Sequence, residues 1–254
     1  MANHRTNTVA VFIPTDDSNW RHLAVNVADI KRQRDVEAQI VVLDRTQSGV
    51  GHIKGATVIH VGADASLGEA YRAGLKHTHA DLIAWGMPGV RSLPNRLSRQ
   101  RTEMVINAGI DLVTCNMVLV DGSGCLTAEA DPDKADEAPT PLWQAGTMVR
   151  REALARIGQS EDLPVELFLY MRLRAKGRTG HVPAALTVSD AEEFFEMIED
   201  SLKEALAIRK ISPPIAPKTD AFAQQRRSFD AHLASDGSVT DALDRMIREG
   251  TFDR

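Results

Sequence analysis

Few residues in this chain have types and spacing that invite a chemical reading. Gly49-Val50-Gly51-His52-Ile53-Lys54-Gly55 looks at first like a glycine-rich phosphate loop. A dinucleotide loop of that kind lies between a strand and the helix whose N-terminus meets the pyrophosphate. Here a strand-like run follows the glycines and the last glycine comes one place late, which excludes a dinucleotide fingerprint. Neither a Gly-x4-Gly-Lys-Ser/Thr phosphate loop nor a Gly-x-Ser-x-Gly nucleophile elbow occurs. His77 and His79 straddle Thr78, the wrong spacing for two metal ligands on one helical face, and read as the polar end of a helix. Cys115 and Cys125 are too few for a disulfide framework, and their placement about Asp121-Gly122-Ser123-Gly124 does not favour a cross-strand bridge. The remaining polar residues of interest stand at the ends of apolar runs. Thr15 and Asp16 follow one such run, and Asp44 closes another. An acid there either caps a turn or meets a ligand in a loop held by the strands.

The elements that position these residues follow from the hydrophobic pattern. Val9-Ala10-Val11-Phe12-Ile13 and Gln39-Ile40-Val41-Val42-Leu43-Asp44 are continuous apolar runs, as in strands buried on both faces of a parallel sheet. Val58-Ile59-His60-Val61 and Asp81-Leu82-Ile83-Ala84-Trp85 read as two more strands. Trp20, Leu23, Val27 and Ile30 predict a helix from about Trp20 to Arg34, capped by Asp17 or Ser18. A second helix is expected over Leu67–Lys76, and a third from Pro94 to about Ala108. Strands alternating with helices imply βαβ units and a mainly parallel sheet.

Beyond residue 110 the rhythm changes. Residues 111–114 and 117–120 read as sheet, and Cys125-Leu126-Thr127 follows a glycine-rich turn. The acidic stretch Ala128–Pro141 reads as a surface loop. Gln144–Val149 is a short strand candidate, Arg151–Ile157 and Val165–Lys176 are helix candidates, and Ala184–Val188 is a last strand.

Composition narrows the function classes. The chain has 254 residues, 43% of them hydrophobic, enough for one large or two small domains with a real core. A net charge of −5 leaves no overall basic footprint for nucleic acid, and 5% aromatic residues leave little for single-strand stacking. No apolar run approaches the roughly 20 residues of a membrane span, and the N-terminus lacks a signal-peptide pattern. The expectation is a reduced, cytoplasmic protein.

In order along the chain, five segments together resemble family 2 glycosyltransferases, which have the GT-A fold. They are Val9–Thr15, Gln39–Asp44, Ala65–Leu75, the pair Asp81–Trp85 and Leu93–Leu97, and Pro141–Gly158. The resemblance spans about residues 8–188. It implies a Rossmann-like α/β domain with a mixed, mainly parallel sheet flanked by helices, over 1–189. A helical C-terminal extension follows over 190–254, with a proline-rich linker at 211–217.

The resemblance further implies a nucleotide-sugar donor bound beyond the carboxyl ends of the strands, with Asp44 at the base and Thr15 in the same pocket. Asp16, Arg45 and Arg72 complete the nucleotide-binding candidates. Val165–Gly177 is similar to the family's acceptor-side helix, and in that register Glu166 takes the place of the base that deprotonates the acceptor hydroxyl. Glu161 and Asp162 are rivals in another alignment, and Glu166 also reads as an ordinary first-turn helix acid.

The family's Asp-x-Asp, which holds a divalent metal, aligns with Met87-Pro88-Gly89, none a ligand for a hard cation. Arg45 likewise stands in place of the family's second acid after the second strand. No metal ligand is therefore assigned, although the family's Mn2+ or Mg2+ stays open as a cofactor. Charge on the departing diphosphate would instead be met by cations, with Arg45, Lys54, Arg72, Arg91 and His181 as candidates or else as ordinary surface groups.

Two functions follow. One is an inverting, possibly metal-independent transfer of a sugar to a glycan, lipid or protein acceptor. The other is a catalytically inactive GT-A-fold protein serving as a nucleotide-binding or assembly subunit. The mixed charges of Asp190–Lys210 argue for a protein contact, hence a homo-oligomer through the C-terminal helices.

Overall fold

The computed structural model describes residues 8–120, 126–130, 146–155 and 178–190. Among them one sheet of nine strands forms the middle layer. Its elements are β1 (Val9–Thr15), α1 (Leu23–Lys31), β2 (Ala38–Asp44), β3 (Thr57–His60), α2 (Leu67–Lys76), β4 (Leu82–Trp85), β5 (Val90–Ser92), α3 (Arg96–Ile106), β6 (Leu112–Val120), β7 (Leu126–Ala130), β8 (Met148–Arg150), α4 (Arg151–Ala155) and β9 (Thr179–Asp190). The strand order is β3-β2-β1-β4-β8-β6-β9-β5, with β7 paired to β6. β3, β2, β1 and β4 are mutually parallel, as are β6 and β9, while β8 runs antiparallel between β4 and β6. The expected α/β architecture is thus present, with a mixed, mostly parallel sheet.

Period-two alternation explains the three layers. Ala10 and Phe12 of β1, Val41 and Leu43 of β2, and Ile83 and Trp85 of β4 face one core, covered by Ala70 and Tyr71 of α2 and Ala153 and Leu154 of α4. Their neighbours Val9, Val11, Ile13, Ile40, Val42, Leu82 and Ala84 face the other, under Leu23, Val27 and Ile30 of α1 and Leu97 and Met104 of α3. Burial on both faces is why these strands read as continuous apolar runs. Gly74 lets α2 settle onto the sheet: a β-carbon there would lie 2.8 Å from Phe12 Cζ and 3.0 Å from Leu43 Cδ2. The Phe12 ring stacks on Tyr71, which meets Trp85 edge-on.

Several local expectations need correction. The first helix begins with a 3-10 turn at Trp20–His22, and α1 proper ends at Lys31. Neither Asp17 nor Ser18 caps it; Asn19 holds that place without a side-chain cap bond, its Oδ1 accepting instead from Asp16 N at 3.0 Å. α3 starts at Arg96 rather than Pro94. Residues 111–114 and 117–120 belong to one strand, β6, which runs unbroken through Asn116. β7 continues to Ala130, into the stretch expected as loop. β9 is 12 residues long, not five, and its pairing with β6 slips around Pro183, which has no N–H for the ladder. β5 has three residues, too few to show a periodic signal.

No helix among the described residues is long and apolar enough to cross a membrane. The proposed base Glu166, its rivals Glu161 and Asp162, the helix Val165–Lys176 and the extension from Ala191 onward lie outside the described residues.

Candidate functional site

Three parallel strands end in one row. Thr15 is paired in register with Asp44, and Asp44 with His60. The row is closed by backbone bonds, from Arg45 N to Thr15 O at 2.7 Å and from Val61 N to Asp44 O at 2.9 Å. Loops at this carboxyl end are where ligands of open α/β sheets bind.

Asp44 is buried and fully engaged. Its Oδ1 accepts from the Thr46 backbone N–H at 3.0 Å and the Thr46 hydroxyl at 2.7 Å. Its Oδ2 accepts from Val50 N at 3.0 Å and meets His60 Nδ1 at 3.0 Å. Burial opposes the charge, but the bonds from the Thr46 side chain, the Thr46 and Val50 backbones and His60 outweigh it, holding the carboxyl below its ordinary range. An ionised carboxylate only accepts, so His60 carries its hydrogen on Nδ1. Gly49, at φ +76°, packs over the pair: a β-carbon there would lie 3.6 Å from Asp44 Oδ2. The glycine-rich segment is therefore a turn folded onto Asp44, followed by β3, as its sequence position indicated.

The other strand-end residues shape the same rim. Thr15 is buried, with its hydroxyl 3.5 Å from the Ile13 carbonyl. Asp16 turns the chain after β1, its Oδ1 accepting from Ser18 N at 3.0 Å and from Ser18 Oγ at 2.6 Å. Asp17 accepts from Gln47 N at 3.2 Å, tying the loops after β1 and β2 together. Arg45 donates through Nε to the Ala65 carbonyl at 2.7 Å, just ahead of α2. Its two terminal nitrogens have no partner among the described residues. α2 begins with a capping box between Ser66 and Glu69.

The remaining cations are scattered. Lys54 is exposed on the glycine-rich loop and Arg72 is exposed on α2. His181 lies on β9, its Nδ1 2.8 Å from the Thr114 hydroxyl. Arg91 is buried and bound by both oxygens of Asp29 on α1. The structure thus brings Thr15, Asp16, Asp44 and Arg45 to one rim and commits Arg91 to an internal pair. His60 and Thr46 were missed as site residues. A histidine ending an otherwise apolar strand, beside a strand ending in an acid, was the available signal for His60.

The turn between β4 and β5 offers little to a hard cation. It reads Gly86-Met87-Pro88-Gly89, with no oxygen-bearing side chain. The Met87 carbonyl accepts from Val90 N, and the Gly89 carbonyl from Ser189 Oγ. These donors do not suit Mn2+ or Mg2+, and no group of three His, Cys, Asp or Glu side chains able to hold a metal occurs among the described residues.

Strand order and flanking helices define a GT-A-type fold. No protein-family model matches the chain, and no curated protein matches its sequence. Solved structures do match. Glucosyl-3-phosphoglycerate synthase from Mycobacterium tuberculosis, in complex with Mn2+, UDP and phosphoglyceric acid, is 16% identical with a TM-score of 0.52, covering 79% of this chain and 78% of that one. The same enzyme with Mn2+, UDP-glucose and phosphoglyceric acid gives 16% and 0.51, covering 84% and 88%. Residues 1–349 of S. aureus TarS in complex with UDP are 14% identical with a TM-score of 0.53, covering 91% of this chain and 74% of that one.

Proposed function

We propose that this chain is a glycosyltransferase of the family 2 type that binds a nucleotide-sugar donor at the ends of β1, β2 and β3. The observation that carries the reading is the in-register row Thr15–Asp44–His60, closed by the Asp44-centred turn and flanked by Arg45. Solved neighbours of the same fold hold UDP or UDP-glucose, which supports a nucleoside diphosphate as the moiety bound. Asp44 builds the wall on the base side. Arg45, with Nε fixed and its outer nitrogens available, meets the phosphates, whereas Lys54, Arg72 and His181 stand on other elements and are not assigned to them. Arg91 is also left out, because Asp29 takes its charge. The residues after β4 do not fit a divalent metal, so this reading rests on the chain's own cations. Glu166 is the proposed base, accepting the proton of an acceptor hydroxyl as its oxygen attacks the anomeric carbon with inversion and the nucleoside diphosphate leaves with the electron pair of the broken C–O bond.

A second reading, a nucleotide-binding subunit without transfer, is favoured by the Met87-Pro88-Gly89 turn. A thermal-shift panel of UDP, GDP, dTDP and CDP, with and without Mn2+, tests the donor site. A ligand at about 100 times its Kd stabilises the fold by about 2.7 kcal/mol. No shift with any nucleotide removes both readings. A shift that needs Mn2+ overturns the metal-free version. Binding without turnover, with Glu166→Gln indistinguishable from the unaltered chain, selects the second reading.

A further inference from the structure

The Asp44 carboxylate has no room for a nucleobase. Each of its oxygens already receives two hydrogen bonds, from Thr46 N and Oγ1 on one side and from Val50 N and His60 Nδ1 on the other. The residue is 1% exposed. A base N–H directed at it would have to displace a bond that shapes the 46–50 turn. His60 is the member of the row that reaches solvent, its side chain 51% exposed against 1% for Asp44. The carboxylate accepts all four of these bonds, which sets the hydrogen of His60 on Nδ1; in the neutral imidazole Nε2 is then the acceptor that faces outward. Asp44 is the charged group facing His60 from β2, and Thr46–Val50, which folds over Asp44, carries no charge.

Resting on the donor-site reading above, we propose that His60 is the base-reading residue of this site, its Nε2 accepting the ring N–H of a uracil, thymine or guanine base. Asp44 is then a positioning residue that sets the tautomer and the angle of the ring. The arrangement selects for bases with a ring N–H between or beside carbonyls. It selects against cytosine, whose N3 is an acceptor and would oppose the Nε2 lone pair.

The test is a chemical double-mutant cycle on the full chain, read by titration calorimetry. UDP is compared with 3-methyluridine diphosphate, which lacks the N3 hydrogen; if dTDP or GDP gives the larger thermal shift, its ring-N-methyl analogue is used. In the unaltered chain methylation is expected to weaken binding tenfold or more. In His60→Phe and His60→Ala the two ligands should bind within twofold of each other. His60→Gln, whose side-chain carbonyl supplies an acceptor, should restore at least a threefold difference. Asp44→Asn should lower the ratio of UDP to CDP affinity by about tenfold, which mere loosening of the turn would not do. Circular dichroism checks that each variant folds, and the two loss variants substitute for one another if either does not. A methylation penalty absent from the unaltered chain, or undiminished when His60 is removed, overturns the proposal while leaving the donor site standing. Binding of CDP alone does the same. Binding of no nucleotide removes the donor reading, and this inference with it.

Discussion

Arg91 of β5 grips Asp29 of α1 through two parallel hydrogen bonds, Nε to Oδ2 at 2.7 Å and Nη2 to Oδ1 at 3.0 Å. The Ser92 backbone N–H adds a third to Oδ2 at 3.2 Å. Both side chains are buried. A bidentate guanidinium–carboxylate pair is geometrically exacting, so α1 and β5 are held in one relative position. Asn26, one turn earlier on α1, donates to the Val90 carbonyl at 2.8 Å. The helix thereby fixes the strand that follows the turn at Met87-Pro88-Gly89.

Removing Asp29 strips the buried Arg91 guanidinium of its bidentate carboxylate. Asp29→Ala is expected to cost about 3–5 kcal/mol. Pairing Asp29→Leu with Arg91→Met removes both charges and should recover most of that loss. Urea midpoints of the three chains check this, and a single Asp29→Ala variant of unchanged midpoint would refute it.

Gly74→Ala sets two effects against each other. Alanine favours a helix interior by up to about 1 kcal/mol over glycine. The added carbon would meet Phe12 Cζ at 2.8 Å, on a ring that is fully buried and stacked on Tyr71. Overpacking of this kind costs about 1–3 kcal/mol. Because the ring has nowhere to retreat, net destabilisation is expected, seen as a lower Tm; a raised Tm would show that the interface yields.

Asp44 gives the fold a defined acid dependence. Its folded carboxyl lies below the ordinary value, with burial opposing the charge and the bonds from Thr46, Val50 and His60 prevailing. The stability it contributes is fully present above the unfolded pKa of about 4 and is lost as pH falls through the folded value. Asp44→Asn should therefore be less stable than the unaltered chain at pH 7. The difference should narrow below about pH 4. Urea midpoints from pH 7 to pH 3 report it, and a constant gap across that range would remove the electrostatic account.

Much of this organisation was legible in the sequence. β1, β2, β4 and α2 announce themselves because burial on both faces demands unbroken apolar runs, and Ser66 and Glu69 bracket the start of α2. The row Thr15–Asp44 was legible for the same reason, since both residues stand where apolar runs stop. What the one-dimensional pattern hides is partnership. Asp29 and Asn26 lie on the buried face of α1 among Leu23, Val27 and Ile30, yet nothing local says that β5, some 60 residues on, supplies their partners. Pro183 made β9 look short because the ladder accommodates it by a slip that only pairing with β6 reveals. Arg91 looked available for a phosphate because sequence shows a charge and not its neighbour.

Cys115 offers a probe of how firmly β6 is held. It is free, 1% exposed, and burial pushes its thiol up to about 11 despite the nearby Arg96 guanidinium. The thiolate is the reactive form, so native Cys115 should resist iodoacetamide at pH 8. In a Cys125→Ser chain, labelling is expected to proceed no faster than unfolding and to accelerate at least tenfold in urea. Rapid labelling without denaturant would show that β6 opens in the native protein.

β5 draws its support from two parts of the chain made at very different times. Asp29 and Asn26 precede it, but its only strand partner among the described residues is β9, and Ser189 reaches the Gly89 carbonyl across 100 residues. Closing so long a loop is slow compared with forming the adjacent βαβ units. The row at the ends of β1, β2 and β3 can therefore be complete on a growing chain while the turn beside β4 still awaits its second anchor.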